Sequence, residues 1–172
     1  MSGQGLSGSA CRSSDQLTRL LFQPCTIPYL RAYSKLISTI ADVALILIVD
    51  DNVDTCTLLI RLLKKVGHQV ECVESGQAAI EYLSESETPD LIILDYMMPD
   101  MDGVEVLKIV RADPKHNKTP IAFYTASDDV QLFRNARHLG ADDIWAKLAL
   151  DIDELNRRVA LLLFHPRQQA NE

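Results

Sequence analysis

The chain has 172 residues, 47% hydrophobic and 24% charged, the balance of an ordinary globular protein with room for one domain and an extension. Its net charge of −7 excludes a general binder of nucleic acid or anionic membranes, which would need a basic footprint. The longest apolar run, Val43 to Val49, is far shorter than the roughly 20 residues of a membrane helix, and no secretory pattern opens the chain, so a cytoplasmic protein without membrane insertion is expected.

Residues 1–42 read as an N-terminal extension, disordered or partly helical. The start, MSGQGLSGSACRSSD, is rich in Gly and Ser, and Pro24 and Pro28 interrupt the scattered leucines beyond it. A short amphipathic helix is expected within 29–41. The extension carries four basic residues against two acidic ones, so the acidic excess lies wholly in residues 43–172. Cys11, Cys25, Cys56 and Cys72 have no C-x-x-C or metal-ligand spacing, which points to reduced thiols rather than a zinc site or disulfide framework.

A domain spanning residues 43–165 begins with a run of strand length, Val43–Val49. Leu58, Leu59, Leu62, Leu63 and Val66 then recur at helical spacing, and Gly67 supplies the stop. A short strand comes next at 68–73. Ala78, Ala79, Ile80 and Leu83 mark a second helix, and 90–94 a third strand. Val104, Leu107 and Val110 mark a helix that stops at Asp113-Pro114, with Gly103 serving the turn or the helix start before it. A strand is expected at 119–125, a helix through Val130, Phe133 and Ala136 closed by Gly140, and a short strand at 143–146. Ile152, Leu155, Val159, Leu162 and Leu163 give the last helix, with Asp151 and Glu154 spaced to cap its start. Residues 166–172 read as a tail.

Strands alternating with helices predict an α/β fold: a parallel sheet, reached by right-handed crossovers and covered on both faces. The continuous apolar runs near 43–49, 91–94 and 121–123 fit central strands, and the more polar runs 68–73 and 143–146 fit edges. In such sheets ligands bind beyond the carboxyl ends of the strands. Asp50 and Asp51 follow the first strand and Asp95 the third. Thr125 ends the fourth strand, and Lys147 follows the fifth.

Each of these has an ordinary structural use: a cap for Asp50–Asn52, a turn for Asp95, strand propensity for Thr125, solvation for Lys147. Together they form a pattern. Carboxylates brought close repel and take up protons unless a cation joins them. An all-oxygen cluster suits a hard ion such as Mg2+. A carboxylate is also a competent nucleophile toward phosphorus, with Lys147 and the Thr125 hydroxyl available for phosphoryl oxygens. The polar loop after Leu94 is expected to leave Asp95 open to solvent and to a phosphodonor.

At these residues the chain resembles the receiver domain of two-component response regulators. The resemblance rests on ILIVDDN (46–52), LIILDYMMPDMDGVEVL (91–107), AFYTAS (122–127) and GADDIWAK (140–147), and on matching spacings between Asp51, Asp95, Thr125 and Lys147. It implies a flavodoxin-like, doubly wound five-stranded parallel sheet of order 2-1-3-4-5. It also implies a phosphoacceptor at Asp95 and Mg2+ held by Asp50, Asp51, Asp95 and the backbone carbonyl of Met97. Thr125 and Lys147 would engage the phosphate. The implied partners are a sensor histidine kinase or histidine phosphotransfer protein and a downstream target protein, with no direct nucleic-acid contact. With no output domain after the last helix, a stand-alone receiver is expected, acting as a phosphorelay or docking switch rather than as a turnover enzyme.

Two positions depart from the family pattern. Leu148 stands where a cis proline is usual, and a non-proline cis bond costs about 2.5–4 kcal/mol, so a trans bond is expected there. The fifth-strand aromatic of the family falls at Ile144, with Trp145 beside it on the opposite face; Trp145 is expected to be packed. Met97, beside Asp95, is expected to slow loss of phosphate by hindering water. His68, His116, His138 and His165 lack ligand spacing. Two alternatives stand beside the switch: a degenerate receiver serving as a phosphorylation-independent interaction module, and a Mg2+-dependent phosphatase. Met97 stands where many such phosphatases carry a second acid or base.

Overall fold

The structure, a computed structural model, describes residues 43–127, 129–147 and 151–164. The expectations for residues 1–42, for the 166–172 tail, for His165 and for Leu148 fall outside the described residues. Within them, strands and helices alternate as β1 (Leu45–Val49), α1 (Val53–Lys65), β2 (Gln69–Val73), α2 (Gly76–Glu85), β3 (Leu91–Leu94), α3 (Gly103–Ala112), β4 (Ile121–Thr125), α4 (Val130–His138), β5 (Asp143–Ala146) and α5 (Ile152–Phe164). The sheet is parallel throughout, with strand order β2-β1-β3-β4-β5. This is the doubly wound order the resemblance implies.

Side-chain alternation along the strands builds two cores. Ile46, Ile48, Ile93, Tyr124 and Trp145 point to one face, where Leu59 and Leu63 of α1 and Leu155 and Val159 of α5 cover them. Leu47, Val49, Ile92, Leu94 and Phe123 point to the other, beneath Ala79 and Leu83 of α2, Val106, Leu107 and Val110 of α3 and Ala136 of α4. Burial on both faces explains why the central strands read as unbroken apolar runs. The helical stripes are narrower than their apolar residues suggest: Leu58, Val66, Val130 and Ile152 are exposed.

Local chemistry sets the helix ends. Asn52 and Ser75 accept N–H bonds from Thr55 and Ala78 and cap α1 and α2. Asp102 and Glu105 form a reciprocal capping box on α3: Glu105 N donates to Asp102 Oδ1 at 2.8 Å, and Asp102 N donates to Glu105 Oε2 at 3.3 Å. Gly67 and Gly140 follow α1 and α4 with φ of 101° and 102°, a left-handed turn that glycine adopts without a Cβ penalty. Asp102→Ala is expected to lower unfolding stability by about 1 kcal/mol, read as a shift of the urea midpoint with unchanged slope.

The ladders do not stop where the strands end. Asp50 N donates to Val73 O at 3.1 Å, Asp95 N to Val49 O at 2.7 Å, and Lys147 N to Thr125 O at 2.8 Å. Three residues expected at the site are thus held by backbone bonds to the neighbouring strand at the carboxyl edge of the sheet. Asp50 and Asp95 follow the adjacent strands β1 and β3, on either side of the point where strand order reverses.

Candidate functional site

Asp50 is 1% exposed and Asp95 7%, whereas Asp51 is exposed. One carboxylate oxygen from each of the three lies within 4.8 Å of the others. Asp50 Oδ1 accepts the Asn52 N–H at 3.0 Å, which turns the chain toward α1. Asp95 Oδ1 accepts a long bond from Met97 N at 3.4 Å, while the Met97 side chain stands out at 69% exposed. The loop beyond it is tight. Met101 N donates to Pro99 O at 2.8 Å, and Asp100 sits at φ 68°, a left-handed conformation that Asp tolerates better than most residues.

Lys147 reaches across from the end of β5. Its Nζ lies 2.8 Å from Asp95 Oδ2, as a hydrogen bond, and 2.7 Å from Asp50 Oδ2, as an ion pair. Asp50 Oδ2 is nevertheless buried without a directed hydrogen bond. Burial works against the Lys147 charge, yet Asp50 and Asp95 more than offset it and hold its pKa above the usual lysine value. Asp95 moves the other way from an ordinary ion-paired acid. Burial raises its pKa, the Asp50 charge adds to the rise, and Lys147 and the Met97 N–H only partly oppose it. The Lys147 ammonium thus pairs with both buried carboxylates, while burial remains the larger influence on Asp95.

Thr125 is buried at the end of β4, with Oγ1 accepting the Ser127 N–H at 3.1 Å. The sequence-predicted residues Asp50, Asp51, Asp95, Met97, Thr125 and Lys147 therefore share one edge of the sheet. One expectation needs correction. Asp95 is buried, only 7% exposed, with the Lys147 ammonium 2.8 Å from Oδ2. The physical reason is packing on several sides: the ladder continues through Asp95 N to Val49 O, Gly103 lies close against the Asp95 carbonyl, and Lys147 pairs with the side chain. Sequence reasoning also misses Tyr124, whose ring centroid is 5.7 Å from Lys147 Nζ. Strand alternation carries the only signal for it, since it places Tyr124 on the opposite face from Phe123. Trp145 is packed as expected: it is fully buried and donates Nε1–H to Asp143 Oδ2 at 2.7 Å. Ile144 is half-buried against the other core.

Comparison with known proteins places this geometry. Residues 46–160 match the family model of the response regulator receiver domain. The chain belongs to the response regulator receiver family. The receiver is 31% identical over 118 residues to the two-component response regulator ORR3 of rice (Oryza sativa subsp. indica), an alignment covering 67% of this chain and 90% of that protein. It is 38% identical over 118 residues to the alkaline phosphatase synthesis transcriptional regulatory protein PhoP of Bacillus subtilis, covering 69% of this chain but 48% of the relative. Among solved structures, a putative response regulator from Chloroflexus aurantiacus superposes with a TM-score of 0.68 at 31% identity, covering 72% of this chain and all of that one. Receivers of this family are generally signalling switches rather than turnover enzymes. They generally bind Mg2+ at an acidic pocket, and response regulators interact with sensor kinases or phosphotransfer proteins. No helix among the described residues is long and apolar enough to cross a membrane.

Proposed function

We propose that this receiver accepts a phosphoryl group on Asp95 from a phosphohistidine of a sensor kinase or phosphotransfer protein in the cytoplasm, and that the modified receiver docks on a downstream protein or relays the group. The observation that carries this reading is the convergence of Asp50, Asp51 and Asp95 oxygens within 4.8 Å, with Lys147 bonded to the proposed acceptor. In the transfer, an Asp95 oxygen forms the new O–P bond, the P–N bond to histidine breaks, and its electron pair leaves with the imidazole. Lys147 moves off Asp95 Oδ2 and pairs with the phosphoryl oxygens, and the Thr125 hydroxyl donates to one of them. The exposed Met97 side chain hinders water, so the adduct is expected to outlast seconds in purified protein.

The residues fit a divalent ion. Asp50, Asp51 and Asp95 each turn one carboxylate oxygen to within 4.8 Å of the others, and hard oxygen donors of this kind suit Mg2+. Asp50, Asp51, Asp95 and the Met97 carbonyl would hold it, and when bound it supplies charge neutralisation for the phosphoryl oxygens. Asp50 then has a second role, drawing Lys147 into the site before any donor arrives.

The burial of Asp95 favours a second reading, in which the receiver is an interaction module that is never phosphorylated. Incubation with acetyl phosphate and Mg2+, followed by intact mass measurement, separates the two. A single phosphate adduct, lost when Mg2+ is chelated beforehand, is the expected result. An unmodified chain after prolonged incubation would leave the module reading standing. Steady phosphate release without an adduct would turn the assignment toward a phosphatase.

A further inference from the structure

The spacing of the four cysteines predicts separate reduced thiols, but the structure joins Cys56 to Cys72 through their Sγ atoms. Their Cα atoms are 6.2 Å apart, within the range a disulfide spans without backbone movement. Cys56 lies in the first turn of α1, buried, with Sγ 3.5 Å from the carbonyl oxygen of Asp50. Cys72 lies on β2, half-buried, directly before Val73, whose carbonyl accepts the Asp50 N–H. The backbone of Asp50 therefore bonds on one side to the neighbour of Cys72 and lies on the other against the sulfur of Cys56. The bridge spans a sequence separation of 16 and braces the loop that carries Asp50, Asp51 and Asn52.

We propose that Cys56 and Cys72 are a reversible dithiol–disulfide pair that sets how firmly this acidic loop is held. The oxidant is a small disulfide of the glutathione class. The less buried Cys72 attacks it first, forming a mixed disulfide and releasing one glutathione thiol. Cys56 then attacks Cys72 Sγ, forming the internal bond and releasing the second glutathione thiol. Two electrons pass from the cysteines to the oxidant, and their two protons end on the two glutathiones. In the dithiol form the Cys56 S–H donates weakly to the Asp50 carbonyl. Oxidation removes that donor and replaces it with a covalent brace between α1 and β2. The inference rests on the fold and not on the phosphoacceptor reading.

The test uses the full chain equilibrated over a series of reduced and oxidised glutathione ratios, quenched in acid, alkylated and digested. Trypsin cleaves at Arg61, Lys64 and Lys65, so Cys56 and Cys72 fall on different peptides. The expected result is one cross-linked peptide pair appearing through a single two-electron transition, absent from Cys72→Ser. Free alkylation of both residues at every ratio, or glutathione left on Cys72 without cyclisation, would overturn the pairing. Amide hydrogen exchange at residues 50–56 reads the coupling, with exchange at least tenfold slower in the oxidised chain. Equal exchange in the two forms would overturn the claim about the loop. Neither readout needs Mg2+ or phosphate, so a failure of the proposed function leaves both intact.

Discussion

Asp95→Asn is expected to abolish the phosphate adduct completely and, at neutral pH, to make the protein more stable than the parent. The first effect follows from the proposed chemistry, because an amide oxygen is not a competent nucleophile toward phosphorus under these conditions. The second follows from the electrostatics. Burial and the Asp50 charge raise the Asp95 pKa, and the single Lys147 ammonium does not restore it. An acid whose folded pKa lies above its unfolded value binds its proton more tightly in the native state. The ionised carboxylate therefore opposes folding at neutral pH, and this cost is relieved as pH falls through the folded pKa and is gone below the unfolded value near 3.8. Asparagine mimics the protonated form, and Lys147 keeps Asp50 at 2.7 Å. The variant is therefore expected to melt above the parent at pH 7. Thermal melts from pH 7 down to pH 3.5 check it: the two curves should converge toward acid. A parent that stays more stable than the variant at pH 7 would show that Asp95 is a net stabiliser and that Lys147 alone balances both acids.

The same site separates what is legible in the sequence from what is not. The central strands are legible because burial on both faces leaves no polar alternation in Leu45–Val49 and Leu91–Leu94. The placement of Asp50, Asp95, Thr125 and Lys147 on one edge follows from each lying at or just past a strand end. Asp95 burial is not legible. It follows from tertiary contacts, the close approach of α3 at Gly103 and of Lys147, which lies 52 positions away along the chain. The pairing of Cys56 with Cys72 is hidden for a related reason: their meeting requires the register that sets Ile48 beside Cys72 and the angle at which α1 leaves β1. Spacing along the chain carries neither. The Asp102–Glu105 capping box, by contrast, stands in the sequence as D-x-x-E, a start signal for α3 that the neighbouring Gly103 obscures.

Gly103 marks a constraint that the sequence signals for a different reason. Its type suggests a turn or a helix start, and it does open α3, but its φ is not in the left-handed region. What it supplies is room. A Cβ there would clash with the Asp95 carbonyl oxygen and lie 2.8 Å from Phe123 Cε1. Neither neighbour can give easily. The Asp95 backbone is tied to Val49 O through its N–H, and Phe123 is fully buried. Gly103→Ala is therefore expected to cost about 2–4 kcal/mol despite the better helix propensity of alanine. Because the clash falls on the peptide of the proposed acceptor, the adduct should also form at least tenfold more slowly, since small misplacements of reacting atoms carry large rate penalties. Gly76→Ala is the control for volume alone. Its Cβ would meet Val106 Cγ2 at 2.8 Å and Met101 Cγ at 2.9 Å, side-chain atoms away from the Asp95 peptide, so a loss of about 1–3 kcal/mol with an unchanged adduct rate is expected. Urea midpoints and the rate of mass gain with acetyl phosphate measure both variants. If Gly103→Ala and Gly76→Ala lose equal stability and react equally fast, the approach of α3 to the Asp95 carbonyl is not what holds the acceptor in place.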